Sequence, residues 1–343
     1  MRNLLALLVP LALVSCSETP GTHGYTAVEI TVVHTDSAGF RALDILPDAL
    51  AFAGSRGRFG TVSFTDGTVR VGTQKADSLY PEFRAVGHTA SDFFMLSAGD
   101  PALLYRPGPD GRLSLVYSET GPGVFYDAMV FWDNENGIAV GDARDGCLSI
   151  LLTRDGGAKW QKLPCASLPA ALSGEGAFAA SNTNIAVSGN RAWIATSKGR
   201  IYRTDDLGAH WEVFPAPALN GTDAQGLFSL AFWDENLGVA VGGDYADPDI
   251  RSRNKMRTRD GGETWEVLAD GREPGYRSCV QFVPGSGGSD LVAVGYAGIS
   301  YSGDTGTTWT EVSGEGFYTI RFQNDSVAWA GGKGRMARLV FRK

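Results

Sequence analysis

Three arginines occupy equivalent positions in the sequence, each directly after an aromatic residue that opens an apolar stretch. They are Arg41, Arg84 and Arg277. Four further stretches of this kind carry other residues at the same place: Tyr126, Ala179, Ser229 and Tyr318. Guanidinium groups bind carboxylate or phosphate through paired hydrogen bonds. If the fold brings these positions to one surface, the sequence predicts a binding site there for an acidic ligand or partner.

Carboxyl groups that would suit a glycoside hydrolase supply the alternative chemistry. Such an enzyme needs two positioned carboxyl groups, one with a raised pKa, or a carboxyl group beside a tyrosine nucleophile. The candidates are Asp142, Glu175, Asp244, Tyr126 and Tyr318. Sialidases open with Phe/Tyr-Arg-Ile-Pro, whereas the nearest segment here is Phe40-Arg41-Ala42-Leu43. The sequence therefore favours binding over hydrolysis.

Cofactor and metal motifs do not occur in the sequence. It contains no Walker loop, no Gly-x-Gly-x-x-Gly and no Cys-x-x-Cys, and its four histidines are scattered. The acidic stretch 244–249 has oxygen donors for Ca²⁺ but not the EF-hand spacing, so we interpret it as a solvated loop. We expect neither cofactor nor metal. A formal net charge of −8 also argues against nucleic-acid binding.

The start of the chain has the order of an export signal: a cation, an apolar run over residues 4–14, then small residues. The ending Leu13-Val14-Ser15-Cys16 matches the bacterial lipobox, in which cleavage precedes a cysteine that receives diacylglycerol. We expect residues 1–15 to be a lipoprotein signal peptide and residues 16–26 a tether lipidated at Cys16. The alternative is an ordinary secretory signal. Lipidation would place the protein in the bacterial cell envelope, on the periplasmic face of a membrane or at the cell surface.

The elements that must position these residues are revealed by a repeat of Ser or Thr, Asp, Gly and Trp with fixed spacing. Its four full copies are Thr153-Asp155-Gly157-Trp160, Thr204-Asp206-Gly208-Trp211, Thr258-Asp260-Gly262-Trp265 and Ser302-Asp304-Gly306-Trp309. This Asp-box suits a hairpin between the two outer strands of a propeller blade, because Asp can bond the turn amides and Gly can take positive φ. Thr65-Asp66-Gly67 and Pro109-Asp110-Gly111 are degenerate copies. We expect a structural role for these residues.

Seven aromatic residues open the predicted inner strands: Phe40, Phe83, Phe125, Phe178, Phe228, Tyr276 and Phe317. Each strand runs to a Gly-rich corner, so the sequence predicts an all-β, seven-bladed β-propeller over residues 27–343, expected to be a monomer. The last blade is one strand short, and we expect 29–35 to pair there and close the ring. Sialidases build six blades, so the expected count also disfavours a sialidase.

In a propeller the openings of the inner strands share one face with the corners between the second and third strands. We therefore expect the openings and corners together to form a partner-binding face. Its expected binding residues are Arg41, Arg84, Tyr126, Ser229, Asp244, Tyr245 and Arg277. The alternative is that the arginines pair with carboxylates and only fix blade packing; the candidates for that pairing are Asp44, Asp127, Asp142 and Asp244.

Two cysteines lie symmetrically about Gly156 in the third predicted outer hairpin. Cys147 and Cys165 are each nine residues away from it, and antiparallel pairing would bring them face to face. In an oxidising compartment we expect a structural disulfide between them. Cys279, within a predicted inner strand, is interpreted as a buried core residue.

With these elements in place, the chain resembles the photosystem II stability and assembly factor-like family. The segments that carry the resemblance are Phe40-Arg41, 174–181, 226–232, 241–245, 275–278, Phe131-Trp132-Asp133 and Phe232-Trp233-Asp234. The resemblance implies a seven-bladed scaffold that holds a protein partner during assembly at a membrane, without implying photosynthesis. The sequence thus predicts a membrane-anchored binding propeller for a protein partner or acidic ligand. The alternative is a sialidase-like hydrolase acting on an anionic glycan.

Overall fold

A computed structural model describes residues 23–108 and 112–343. The expected signal peptide, Cys16 and most of the tether lie outside the described residues, as does Pro109-Asp110-Gly111. Apart from one 3-10 turn, Cys165–Ser167, the regular elements of the described chain are β-strands. No helix among these residues is long and apolar enough to span a bilayer. The protein is an all-β propeller.

The strands form six antiparallel sheets. The largest contains β1 (Ala27–Ile45), β2 (Ala49–Gly54), β3 (Arg58–Ser63), β4 (Val69–Thr73), β25 (Thr319–Phe322) and β26 (Val327–Arg342). The next two contain β5 (Phe83–His88), β6 (Phe93–Ser97), β7 (Ala102–Pro107), β8 (Leu113–Glu119), and β9 (Tyr126–Phe131), β10 (Gly137–Arg144), β11 (Cys147–Thr153), β12 (Gln161–Lys162). The others contain β13 (Ile185–Ser188), β14 (Arg191–Ala195), β15 (Arg200–Thr204), β16 (Glu212–Pro215); β17 (Gln225–Phe232), β18 (Gly238–Asp244), β19 (Lys255–Thr258), β20 (Glu266–Val267); and β21 (Cys279–Phe282), β22 (Leu291–Gly295), β23 (Gly298–Ser302), β24 (Thr310–Ser313).

The prediction of seven blades is wrong, because the described strands make six. The regions expected to form the first and the seventh blade share one six-stranded sheet, in the order β25-β26-β1-β2-β3-β4. The cause is the length of β1 and β26, which run for 19 and 16 residues and stay paired through bulges between Val32 and His34 and between Thr35 and Gly39. The start of β1 pairs with β26, Ala27 opposite Arg342, and its end pairs with β2. The first and last parts of the described chain are thus hydrogen-bonded to each other.

The fourth inner strand also differs from the prediction. It begins at Ile185, seven residues after the expected opening at Phe178. Asn182 has φ 59°, a left-handed conformation that interrupts an extended strand. Residues 178–184, which precede this strand, instead cross the centre of the propeller. We call them the central segment.

Aromatic and aliphatic side chains pack between neighbouring sheets. Trp193 of β14 stacks on Phe232 of β17 with ring centroids 3.7 Å apart, and Phe94 of β6 stacks on Phe131 of β9 at 5.0 Å. Burial of each such large side chain stabilises the fold by about 1.5–3 kcal/mol. The core is therefore distributed around the ring, and each sheet depends on its two neighbours.

The four repeat hairpins share one hydrogen-bond pattern. In the first, the Thr153 hydroxyl donates to Asp155 Oδ1 at 3.0 Å and accepts from the Gly157 amide at 2.9 Å. Asp155 Oδ1 also accepts from the Lys159 amide at 2.9 Å. The equivalent bonds recur around Asp206, Asp260 and Asp304. These carboxylates are occupied by their own turns.

Cys147 and Cys165 form a disulfide with Cα atoms 5.5 Å apart. Cys165 does not lie in a paired strand, since β12 ends at Lys162 and the cysteine begins the 3-10 turn. The bond therefore fastens the loop after β12 to the start of β11. Cys279 is a buried free cysteine in β21.

Candidate functional site

A cavity of about 720 Å³ opens on the face where the inner strands begin. Its wall includes Arg41, Arg84 and Tyr318 from the strand openings, and Asp142 and Tyr245 from the corners between second and third strands. The structure therefore brings five of the residues singled out in the sequence to one cavity. Glu175, from the loop before the central segment, also lines it.

The central segment forms the floor of this cavity and is bonded to sheets all around the ring. Its carbonyl oxygens at Ala179 and Ala180 accept hydrogen bonds from Arg84 at 3.2 Å and Arg41 at 3.4 Å. The carbonyls of Ser181 and Asn182 accept from Arg321 of β25, at 3.3 and 3.0 Å. Further bonds join the segment to Val86, Met129, Ser229 and Ser278. Backbone that would pair within a strand is satisfied here by side chains from around the ring.

Arg41 and Arg84 each occupy a β-bulge. In β1 the pairing with β2 skips from Phe40 to Ala42, and in β5 the pairing with β6 skips from Phe83 to Ala85. A bulge leaves one residue outside the ladder and re-aims its side chain. Both arginines are the skipped residues, which explains why their side chains turn into the cavity.

Equivalent bulges in β9 and β17, shifted by one residue, explain why two expected binding residues lie outside the cavity wall. In β9 the skipped residue is Asp127, not Tyr126, and in β17 it is Phe228, not Ser229. A slip of one position turns a strand side chain to the other face of the sheet. Tyr126 therefore points away from the cavity to donate to Glu119 at 2.7 Å, and Ser229 accepts from the Thr183 hydroxyl at 2.8 Å.

Arg277 is a third expected binding residue outside the cavity wall, and it is buried beside β23. Its guanidinium donates to the Ser300 hydroxyl at 2.9 Å and to the Tyr276 carbonyl at 2.8 Å. Burial lowers the pKa of Arg277, although the charges of Glu311 and Glu273 oppose that effect. Its neighbours Tyr276 and Tyr296 stand in the wall instead.

The guanidinium groups of Arg41 and Arg84 form no ion pair with any carboxylate of residues 23–108 and 112–343. Arg41 lies over the ring of Tyr318, 3.7 Å from its centroid. Burial lowers the pKa of Arg84, and the neighbouring Arg41 charge adds to the effect. Two adjacent cations thus face the cavity with only neutral backbone acceptors.

The carboxylates expected as pairing partners are engaged elsewhere or stand alone. Asp44 binds His88 at 2.6 Å. Asp244 lies outside the cavity wall, where it accepts from Gln225 at 2.9 Å and from the amides of Ala246 and Asp247. Burial would raise the pKa of Asp244, but these hydrogen bonds outweigh it and lower the pKa. The interpretation of the arginines as inter-blade ion pairs is therefore not what the structure shows for Arg41 and Arg84.

Glu175 is fully occupied by structural contacts. Its side chain has no exposed area, and it accepts from Arg200 at 2.9 Å, Thr196 at 2.7 Å and Tyr202 at 3.1 Å. The Leu172 amide adds a fourth bond at 2.8 Å. Three of these bonds reach Oε2 and one reaches Oε1, so this buried carboxylate anchors the loop that leads into the central segment.

Asp142 and its neighbour Asp127 are carboxyl groups without a cationic hydrogen-bond partner. Asp127 is completely buried, and neither of its oxygens has a hydrogen-bond partner among the described residues. Burial, with Asp142 nearby, raises the pKa of Asp127 well above its usual range, against the opposing effects of the Arg84 charge and the Ala179 amide. Burial also raises the pKa of Asp142 to about 6, despite a hydrogen bond from the Ala177 amide. Burial therefore favours the protonated form of both carboxyl groups, and more strongly for Asp127 than for Asp142.

Aromatic side chains make the opposite wall. Phe178 stacks on Phe228 with centroids 3.7 Å apart, and Tyr276 meets Phe228 edge to face at 4.9 Å. At the rim, Tyr245 is 50% and Tyr296 44% exposed. The sequence pattern marked Phe178, Phe228 and Tyr276 as strand openings without assigning them to a site, and it gave no signal for Tyr296.

No group of three or more His, Cys, Asp or Glu side chains in the described ranges is arranged to hold a metal ion. The four histidines lie away from the cavity wall. The arrangement that remains is a pair of arginines beside an aromatic wall, and the carboxyl groups in the lining are Asp142, Asp223 and the hydrogen-bonded Glu175.

No family model matches the chain, and no curated protein matches it. Solved structures do share its fold. The structure of YCF48 bound to D1 peptide superposes with a TM-score of 0.65 at 17% identity, covering 94% of this chain and 99% of that one. YCF48 from Cyanidioschyzon merolae gives a TM-score of 0.64 at 15% identity, with 90% and 98% covered. The WD40 β-propeller domain of Doa1 gives 0.60 at 13% identity, with 93% and 96% covered. At these identities the likeness establishes a shared β-propeller fold.

Proposed function

We propose that this protein is a binding propeller that captures an acidic group of a protein partner in the cavity around Arg41 and Arg84. The observation that carries the proposal is the pair of guanidinium groups that lack a carboxylate partner in the described structure. Each guanidinium has five N–H donors, and Arg41 and Arg84 each use one nitrogen on a backbone carbonyl. The other donors can bind an acidic ligand in bidentate fashion without displacing the carbonyls of Ala179 and Ala180.

The rim of the cavity supports a protein partner over a small ion. Phe125, Tyr245 and Tyr296 stand exposed around the opening, and Leu172 is 51% exposed nearby. Aromatic residues and arginine are enriched at protein–protein interfaces relative to the rest of the surface. A propeller of the same fold, YCF48, has been solved with a bound peptide.

We extend the proposal to an anchored protein in the cell envelope, with lipid on Cys16. The described chain enters the propeller at the end of β26, where the Thr26 amide donates to the Arg342 carbonyl at 2.9 Å. The strand β26 covers ten residues between Arg342 and Lys333, which is roughly 30 Å. Lys333 pairs with Gly39 near the cavity. A tether that enters at that end would leave the cavity facing away from the membrane.

Hydrolysis of an anionic glycan is the weaker candidate. Asp142 has the raised pKa of an acid catalyst, and Tyr318 lies in the same cavity. A second positioned carboxyl group is not in place among the described residues. Glu175 is held by structural hydrogen bonds, Asp244 is bonded to its own loop and Asp127 is completely buried. Asp223 also lines the cavity, but it is an exposed turn residue. The observed blade count no longer separates the chain from sialidases, so the argument against hydrolysis depends on these contacts.

The test is fluorescence binding of two randomised hexapeptide pools. One pool carries Asp, Glu and a free terminal carboxylate; the other carries Asn, Gln and an amide. We expect the acidic pool to bind, and the Arg41→Lys, Arg84→Lys double variant to bind at least about tenfold more weakly, since lysine keeps the charge but loses the paired donor geometry.

The matched control removes two cations away from the cavity. Arg259 and Arg338 are exposed, and their double alanine variant should bind as the wild type does. Equal binding of both pools would overturn the proposal. Turnover of sialyl or uronyl aryl glycosides that is lost in the Arg41→Lys, Arg84→Lys variant would establish the hydrolase instead.

A further inference from the structure

The binding proposal assigns no role to two acidic residues near the arginines, Asp127 and Asp142. Asp127 takes the same bulge position as Arg41 and Arg84, one sheet further round the ring. Its carboxyl group is buried without a hydrogen-bond partner in the part of the chain that the structure describes. An isolated buried carboxylate costs several kcal/mol, so such a group keeps its proton. A neutral Asp127 leaves the charge of Arg84 uncancelled.

Asp142 differs from Asp127 because it faces the cavity. It lies in β10 directly after Gly141, which pairs with β9 at the bulge of Asp127. Its oxygen fills the space beside Gly176, where an added Cβ would lie 1.9 Å from Oδ1. A ligand carboxylate seated on Arg41 and Arg84 would share this cavity with Asp142. Two negative charges in one desolvated site repel each other, and the usual outcome is that one carboxyl group takes up a proton.

We propose that capture of an acidic ligand by this cavity is coupled to the uptake of one proton by Asp142. This inference rests on the proposed function, since it needs a ligand that binds at Arg41 and Arg84. It makes Asp142 a ligand-facing residue that sets the pH range of binding, while Asp127 has no exposed area and does not face the ligand.

The groups that face Asp142 support this assignment. Charged and titratable side chains around the cavity come from β1, β5, β9, the loop before the central segment, and the loops before β15 and β17: Arg41, Arg84, Asp127, Glu175, Lys198 and Asp223, with the tyrosines Tyr245, Tyr276, Tyr296 and Tyr318. Glu175 is held by Arg200, and no histidine lines the cavity among the described residues. Burial raises the pKa of Asp142 to about 6, so its carboxyl group changes protonation between pH 5 and pH 8, where binding can be measured.

The experiment has a ligand-free arm and a binding arm. In the first, aspartate carboxyl groups are ¹³C-labelled, and the resonance missing from the Asp142→Asn variant identifies Asp142. We expect a midpoint near pH 6 for that resonance. A midpoint near the ordinary aspartate value of about 4 would overturn the proposal without reference to any ligand.

The binding arm uses N-acetylphenylalanine, an aromatic carboxylate matched to the wall and the arginines, with N-acetylphenylalaninamide as the uncharged control. Its carboxyl group has an ordinary pKa of about 3.5 and stays ionised above about pH 5. Coupling to one proton predicts that the dissociation constant rises by up to about tenfold per pH unit above the midpoint. The amide should show no such change.

Two variants separate the outcomes. Asp142→Asn should bind the carboxylate at pH 8 as tightly as the wild type does at pH 5, with no dependence on pH. Asp127→Asn, which imitates the neutral acid, should keep the wild-type dependence. Binding that requires Arg41 and Arg84 but does not change with pH would overturn the coupling alone. Failure to bind at any pH would count against both the coupling and the proposed function.

Discussion

The guanidinium carbon of Arg41 lies 3.7 Å from the centre of the Tyr318 ring. The two residues come from β1 and from the loop before β25, far apart in sequence but joined through the six-stranded sheet. A cation held over an aromatic face gains about 0.5–2 kcal/mol and loses freedom to rotate. The ring therefore presents Arg41 to the cavity in one orientation.

Replacing Tyr318 separates the ring from the hydroxyl group. Tyr318→Phe keeps the ring and should bind acidic peptides as the wild type does, whereas Tyr318→Ala should weaken binding by about threefold to tenfold, because Arg41 loses its support. Fluorescence titration with the acidic peptide pool measures both. A loss of binding in Tyr318→Phe would show that the hydroxyl group contacts the ligand directly.

Glu175→Gln should destabilise the fold. The substitution leaves the half-buried Arg200 without its carboxylate, and breaking a buried pair in this way costs about 3 kcal/mol. Urea unfolding should show a lower free energy of unfolding. The control is Glu135→Gln on an exposed loop, which should unfold as the wild type does. Unchanged stability in Glu175→Gln would mean that the negative charge of Glu175 is not needed to hold Arg200 in the fold.

Gly176→Ala should disturb the cavity floor. An added Cβ would lie 1.9 Å from Asp142 Oδ1 and 2.6 Å from its carboxyl carbon, so the Asp142 side chain must rotate or the two segments must move apart. Overpacking of this kind costs about 1–3 kcal/mol. Thermal unfolding measures the loss, and Gly314→Ala, whose nearest contact is 3.9 Å away, should be neutral. Equal melting temperatures for the two variants would contradict the tight contact.

Asp127→Asn should be more stable than the wild type at pH 8. Since the native state raises the pKa of Asp127, the folded protein keeps a proton that the unfolded chain releases above about pH 4. Stability of the wild type therefore falls by up to about 1.4 kcal/mol per pH unit as pH rises towards the native pKa. Urea unfolding of both proteins at pH 5 and pH 8 should show the gap widen with pH. A constant gap would mean that Asp127 is ionised in the folded protein.

Removing the disulfide should lower stability by about 3 kcal/mol. The bond closes a loop with a sequence separation of 18 residues, and the entropy of that loop in the unfolded chain sets the size of the effect. Unfolding of the Cys147→Ser, Cys165→Ser variant measures it. Reductant should destabilise the wild type to the level of the variant and leave the variant unchanged.

The aromatic openings of the inner strands were enough to place Arg41 and Arg84 at one cavity, because both follow the true opening residue of a bulged strand. The same rule did not bring Tyr126 and Ser229 into the cavity wall. In those strands the pattern offered two adjacent candidates, Phe125-Tyr126 and Leu227-Phe228, and the bulge follows the second residue of one pair and the first of the other. A bulge depends on the partner strand, so its position cannot be read from one strand alone.

The central segment and the number of blades show a different limit. Phe178-Ala179-Ala180-Ser181 has the composition of a strand opening, yet its carbonyls accept from Arg41, Arg84 and Arg321, which are distant in sequence. Likewise, the joining of the first and last predicted blades depends on how two long strands bend through one sheet. Local pattern predicted the strand-rich fold and the hairpins, whereas these features arise from contacts between distant parts of the ring.

The pairing of β1 with β26 has a consequence for how the chain acquires its structure. Glu29 and Arg342 are in contact across a sequence separation of 313 residues. Contacts of such length are slow to form, because a large loop must close before they stabilise anything. During synthesis from the N-terminal end, β1 therefore has no β26 to pair with until the residues of β26 have been made. During that interval the unpaired edge is the point where a chaperone would act or aggregation would start.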